Sequence, residues 1–221
     1  MTDANTARPV RKYRGQTTEQ LKAERRERLL QAGEELIGSD GYGATSIDRL
    51  CSAGRVSTRH FYEHFSSREE LLGALFDAFI RDAFNEVLQA FEGSGQEGAL
   101  AGTLAALTAF ARFCMNNPER ARIALVETVG VSPAMEEKRR AAIRQFAGLV
   151  AQFADKLAAE GVLPEADYQL SGIALVGASN ELLVEWLSGG TGLSREQMER
   201  RITGIFQAII KGSQAIAREK V

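Results

Sequence analysis

Val56-Ser57-Thr58-Arg59-His60-Phe61-Tyr62-Glu63-His64-Phe65 is the stretch on which the reading of this chain turns. Ser57 is a good N-cap, and Phe61 and Phe65 stand one helical turn apart, so both point inward on one stripe. Thr58, Arg59, His60, Tyr62 and His64 then crowd the remaining faces. Their hydrogen-bonding groups are of the kind that contact phosphates and base edges, with arginine the strongest candidate for bidentate reading of guanine. A surface helix with two aromatics inside and polar residues outside has the same pattern, so the decapeptide alone fits both readings equally.

Working outward shifts the balance. Thr45 or Ser46 can cap a short helix through Ile47, Leu50 and Cys51, and a turn at Ala53-Gly54-Arg55 leads to the Ser57 cap. This is the two-helix spacing of a helix-turn-helix. Before it, Leu29, Ala32, Gly33, Leu36 and Ile37 form the stripe of a helix predicted over Thr18–Ser39. After it, Ser66 or Ser67 caps a long helix through Leu71, Leu75, Phe79, Ala83 and Phe91 that ends near Gly93-Ser94-Gly95. About 25 residues of helix span nearly 40 Å, enough to link two domains mechanically.

The run Leu29-Leu30-Gln31-Ala32-Gly33, Leu36-Ile37, Gly41-Tyr42, Ala44-Thr45-Ser46-Ile47, Val56-Ser57, Phe61-Tyr62-Glu63-His64-Phe65 and Arg68-Glu69-Glu70-Leu71-Leu72 resembles the N-terminal domain of TetR/AcrR-type transcriptional regulators, over about residues 20 to 80. The resemblance implies an all-α chain: a helix-turn-helix three-helix domain over 18–66 and a helical effector-binding and dimerisation domain over 67–221, behind a basic arm at 1–17. The residues expected on a double-stranded DNA operator are Thr45, Ser46, Thr58, Arg59, His60, Tyr62, His64 and Arg68, the last lying where the family commonly contacts phosphate. One position departs from the pattern. The family usually has glycine where Arg55 stands, because the turn favours a positive φ, and Gly54 one position earlier suggests a shifted turn or a mildly strained arginine.

Of the 221 residues, 44% are hydrophobic and 25% charged, as in an ordinary globular protein, and 4 Pro with few β-branched runs read as all-α. The net charge of −2 hides an asymmetry: residues 1–65 carry 11 Lys/Arg against 9 Asp/Glu, a net of +2, so only the first part suits a polyanion. No run of about 20 uncharged apolar residues and no secretory signal is seen, so no membrane partner and a cytoplasmic location are expected. Cys51 and Cys114 lack metal-ligand spacing and suit reduced buried thiols.

Arg8, Arg11, Lys12 and Arg14 fall within seven positions free of acidic residues, directly before the helix-turn-helix. An arm of this kind tracks phosphates or enters a minor groove, against the alternative of a solvated tail. Downstream, helices are predicted near 97–116, 118–129, 132–160, 166–188 and 194–218, with Pro118, Pro133 and Pro164 at helix starts. The last two helices carry small residues (Gly172, Ala174, Gly177, Ala178) and an apolar stripe (Ile202, Ile205, Phe206, Ile209, Ile210, Ile216). The resemblance implies that they pair with their symmetry mates in a homodimer.

Catalytic machinery is not visible: there is no phosphate-cradling glycine loop, His-Glu-x-x-His, nucleophile elbow or paired Cys-x-x-Cys, and no enzyme or cofactor is expected. His60 and His64 stand four apart, but a zinc site wants three or four ligands, so no metal is expected. Phe110, Phe113, Phe146 and Trp186, with Glu127, Asn180 and Glu181 interspersed, have the mixture of a small-molecule pocket, although aromatics at helical spacing are usually core. The resulting reading is a ligand-responsive transcriptional regulator, a repressor that binds a palindromic operator as a dimer and is released by a small-molecule effector. An effector-independent DNA-binding protein with a structural role would share the N-terminal half and lack a cavity; an all-α enzyme would need converging ionisable groups.

Overall fold

A computed structural model describes residues 17–94 and 97–218. Nine α-helices are formed among the described residues, and no strand. The N-terminal unit comprises α1 (Thr18–Asp40), α2 (Ile47–Gly54) and α3 (Thr58–Tyr62). Then follow α4 (Arg68–Ser94), α5 (Ala99–Asn116), α6 (Pro118–Arg122), α7 (Pro133–Ala159), α8 (Gln169–Leu187) and α9 (Arg195–Arg218). Between α6 and α7 the chain widens into a π-helical segment, Ile123–Glu127.

The starts of these helices follow local chemistry. Thr17 and Gln20 form a reciprocal capping box on α1. Ser46 caps α2, Ser57 caps α3, Ser67 accepts from the Glu70 N–H at the start of α4, and Ser132 caps α7, each side-chain oxygen taking one of the amides that the first turn leaves unpaired. Pro118 and Pro133 do open helices, whereas α8 begins only at Gln169. Pro164 instead sits in the connection, where its carbonyl accepts from the Tyr168 hydroxyl.

Two apolar cores meet along α4. Leu29, Ile37, Leu50, Phe61 and Phe65 pack with Leu71, Leu72 and Leu75 from the first turns of α4, and Ile123 and Met135 reach into the same cluster. Farther along, Phe76, Phe79, Val87 and Phe91 join α5, α7, α8 and α9 in the second core, where Phe91 and Phe153 stack at 4.2 Å. Each core therefore holds one end of the same 27-residue helix, and a rotation of α4 moves both.

By length and composition α5 and α8 are apolar enough to cross a membrane, although each carries charge: Arg112 on α5, Glu181 and Glu185 on α8. α5 packs against α4, α7, α8 and α9, which accounts for its apolarity. α8 lies along α7, with Gly172 pressed so close to the Ala147 carbonyl that a Cβ there would come within 2.5 Å of its oxygen. Cys51 and Cys114 are both free and buried, and burial pushes both thiols up from their ordinary pKa.

Candidate functional site

The connection between α2 and α3 is a Schellman turn. The amide of Val56 bonds back to the Cys51 carbonyl at 2.9 Å and that of Arg55 to Ser52 at 3.3 Å, while Val56 is buried. Such a turn requires a left-handed residue, and Arg55 supplies it at φ 51 and ψ 45, the only non-glycine with positive φ among the described residues. The turn is thus not shifted onto Gly54. Gly54 is the last residue of α2 and meets a different demand: a Cβ on it would lie 3.1 Å from the Arg28 carbonyl oxygen of α1. Position 54 needs the absence of a side chain and position 55 needs a left-handed backbone, and the sequence meets only the first with glycine.

The turn fixes what α3 shows. Phe61 and Phe65 are buried and within 5.8 Å of each other, as their spacing predicts. Thr58, Arg59 and Tyr62 are exposed. The Arg59 side chain is 90% accessible, held only loosely toward Glu63 at 3.9 Å, and Tyr62 is 56% exposed with its ring edge-on to Phe61. The Arg59 guanidinium and the Tyr62 side chain are thus both accessible for contact with a partner. His60 is half-buried, with Nδ1 at 2.9 Å from the Ser57 hydroxyl.

Three of the expected contact residues, Thr45, Ser46 and Arg68, are otherwise engaged, and a fourth, His64, is half-buried. Thr45 is fully buried, its hydroxyl donating to the Gly41 carbonyl at 2.9 Å, so its side chain shapes the α1–α2 turn and is not presented outward. Ser46 is exposed, but its hydroxyl caps α2 through the Arg49 amide at 3.2 Å. Arg68 turns back into the protein: it donates to the carbonyls of Tyr42 and Thr45, and its guanidinium lies 4.0 Å over the Tyr42 ring. His64 is half-buried and its Nε2 has no hydrogen-bond partner. Burial holds its pKa below the ordinary histidine value; Glu63 pulls the other way, and Arg25, Arg26 and Lys22 of α1 add to the lowering. The fold thus brings these three cations of α1 close enough to His64 to act on its charge. Arg8, Arg11, Lys12 and Arg14 lie outside the described residues.

Of the expected pocket residues, Phe110, Phe146 and Asn180 share the wall of one small void, and Phe113, Glu127, Glu181 and Trp186 lie apart from it. Phe110 packs on Phe146 at 5.3 Å and Phe113 on Phe79 at 5.3 Å, so these rings are core. Trp186 is pinned by its indole N–H to the Leu193 carbonyl at 3.0 Å, and Glu181 is exposed. Asn180 borders a void of only about 30 Å³. Glu127 points to the N-terminal unit, accepting from the Tyr42 amide at 2.8 Å and from Arg122 at 3.1 Å. A cavity of about 400 Å³ opens elsewhere, between α5, α7, α8 and α9, with Thr103, Leu107, Leu157, Leu175, Phe206 and Ile210 in its walls. The signal that could have found it was the run of small residues on α8, Gly172, Ala174 and Ala178, which leaves this space open beside the helix.

Residues 29–75 match the family model described as bacterial regulatory proteins, tetR family. The whole chain is similar in fold to a putative TetR-family transcriptional regulator from Syntrophomonas wolfei str. Goettingen, with a TM-score of 0.73 and 15% identity over 85% of this chain and 95% of that one. It is similar also to the fatty acid degradation regulator FadR from Bacillus halodurans, at 0.71 and 14% over 85% and 95%. A third similar structure is the TetR-family regulator PfmR from Thermus thermophilus, at 0.67 and 22% over 83% and 97%. Residues 29–75 thus carry the match to the TetR family of bacterial regulatory proteins, and the chain shares the fold of TetR-family transcriptional regulators. These matches are to regulators and not to enzymes.

Proposed function

We propose that this protein is a ligand-responsive transcriptional regulator that binds a palindromic operator as a homodimer and is released when a small molecule enters the C-terminal domain. The division of side chains on α3 and the residues just after it carries the reading: Phe61 and Phe65 are spent on the core, Thr58, Arg59 and Tyr62 are left in solvent, and the α1 cations act on the neighbouring His64. In this reading Arg59 and Tyr62 enter the major groove, Lys22, Arg25 and Arg26 neutralise phosphates, and the basic residues Arg8, Arg11, Lys12 and Arg14 add further phosphate contacts. Thr45 and Arg68 hold the α1–α2 turn that positions the reading head. Leu170, Ile173, Ile205 and Ile209 are exposed apolar residues on α8 and α9, and they would be covered by the partner subunit. Effector control rests on linkage: a ligand that favours the wrong spacing of the two heads weakens operator binding by the factor by which the operator weakens the ligand.

The test begins with selection of bound duplexes from a random pool. On the selected operator, Arg59→Ala and Tyr62→Ala should each weaken binding by about 1 to 3 kcal/mol per half-site with helicity unchanged. Full affinity in both variants would remove the assignment of α3.

A further inference from the structure

The chemistry of the cavity between α5, α7, α8 and α9 narrows what it can hold, on the reading that this cavity is the effector site. Its walls are aliphatic and aromatic, and its polar side chains are four hydroxyls, those of Thr103, Tyr168, Ser171 and Ser213; among the described residues no Lys, Arg, His, Asp or Glu lines it. The charged side chain acting on the Tyr168 end is acidic, Asp155. Thr103 is 5% exposed and its hydroxyl has no hydrogen-bond partner, an unmet polar group in the wall of an otherwise greasy space. The Tyr168 hydroxyl already donates its proton to the Pro164 carbonyl, which leaves its oxygen free to accept.

We infer that the cavity takes an uncharged apolar molecule carrying a single oxygen function, of the class of long-chain alcohols, ketones or esters, and rejects the carboxylate or phosphate of the same carbon skeleton. An anion meets no cationic side chain among the described lining residues, and a carboxylate enters only by taking up a proton first. At neutral pH, protonating an ordinary carboxyl lowers the apparent affinity by at least about a hundredfold. The ligand oxygen pairs with the Thr103 hydroxyl, and its chain lies along Leu107, Leu157 and Leu175.

Calorimetric titration of the full chain at pH 7.5 with decan-1-ol and with decanoate decides it. Expected are saturable binding of the alcohol, decanoate weaker by about a hundredfold or more, and decanoate gaining about tenfold for each pH unit lowered. Thr103→Val should weaken the alcohol by about three- to tenfold and leave decane binding unchanged. Ala154→Trp, which fills the cavity, should abolish alcohol binding. Decanoate binding as tightly as the alcohol at pH 7.5, binding of neither, or alcohol binding that survives Ala154→Trp in a folded protein would each overturn the inference. Should the tryptophan variant not fold, the response to Thr103→Val decides alone. Alcohol binding without any change in operator affinity leaves this ligand class standing and removes effector release; decanoate releasing the operator removes the ligand class and keeps the regulator.

Discussion

The carboxylate of Glu127 accepts a hydrogen bond from the backbone amide of Tyr42 at 2.8 Å, across 85 positions of sequence and from the C-terminal helices to the α1–α2 turn. The same turn is gripped from α4: Arg68 donates to the Tyr42 carbonyl at 3.0 Å and stacks on its ring. Gly41, at φ 89, lets the turn approach so closely that a Cβ on it would lie 3.1 Å from a Glu127 oxygen. Glu127 ends the π-helical segment, whose wider turn gives the helix a local irregularity of the kind often found at functional positions. The C-terminal helices are therefore joined to the α1–α2 turn by a hydrogen bond to backbone as well as through α4.

Glu127→Ala should destabilise the protein by about 1 to 3 kcal/mol, the range for a hydrogen bond with a charged partner. Urea denaturation measures this. The variant should also show a smaller ratio between operator affinities with and without cavity ligand, which a purely structural carboxylate would leave unchanged. Glu127→Gln keeps an acceptor for the Tyr42 amide and should restore part of both.

Positions 54 and 55 make opposite predictions, a gain for introducing glycine at 55 and a loss for removing it at 54. Arg55→Gly relieves a left-handed arginine, worth about 1 to 2 kcal/mol, against the added freedom of glycine in the unfolded chain, so a net gain of about 0.5 to 1 kcal/mol is expected. Gly54→Ala places a methyl against the Arg28 carbonyl and should destabilise, although alanine is the better helix former. Thermal melts of the two variants with the sign pattern reversed would show the turn to sit elsewhere.

This pair also marks where the sequence stopped being readable. Helices, caps and the inward aromatics follow from local rules, and Ser46, Ser57, Phe61 and Phe65 stand where those rules put them. Arg55 broke the local rule, because the left-handed conformation is imposed by the Val56 to Cys51 bond and by packing of Val56, neither of which is local propensity. Thr45 and Arg68 look like surface polar residues until the fold supplies backbone carbonyls for them. The cavity was harder still. It depends on helix spacing set by Gly172 against Ala147, so the conspicuous aromatics drew attention to the core while small residues and hydroxyls lined the space.

The pH dependence of stability should carry the mark of His64. Its folded pKa is depressed below 6.5 by burial first, with the α1 cations adding to it, so the unfolded chain binds the proton more readily than the folded one. Stability then rises with pH: the penalty is absent well above 6.5, appears as pH falls through 6.5, and stops growing below the depressed folded value. His64→Gln should flatten the slope of unfolding free energy between about pH 7.5 and pH 5.5 relative to the parent. Equal slopes in both proteins would mean that His64 titrates alike folded and unfolded.

Ile205 separates the dimer face from the cavity, a distinction that Ile209 cannot make because it is exposed and also lines the cavity wall. Ile205 is 40% exposed on α9, and Leu170 and Ile173 are exposed on α8. If these faces meet a second copy, Ile205→Glu buries an unpaired carboxylate in the interface at a cost of about 3 kcal/mol or more, a weakening of dimerisation by over a hundredfold. Sedimentation of the variant at micromolar concentration should then show monomers, while decan-1-ol binding loses little because the cavity walls are intact. Operator affinity should collapse with the dimer, since two half-sites are no longer held together and each head binds alone. A variant that sediments as a stable dimer would place the interface away from Ile205, and a monomeric variant with unchanged operator affinity would mean that one subunit suffices on DNA.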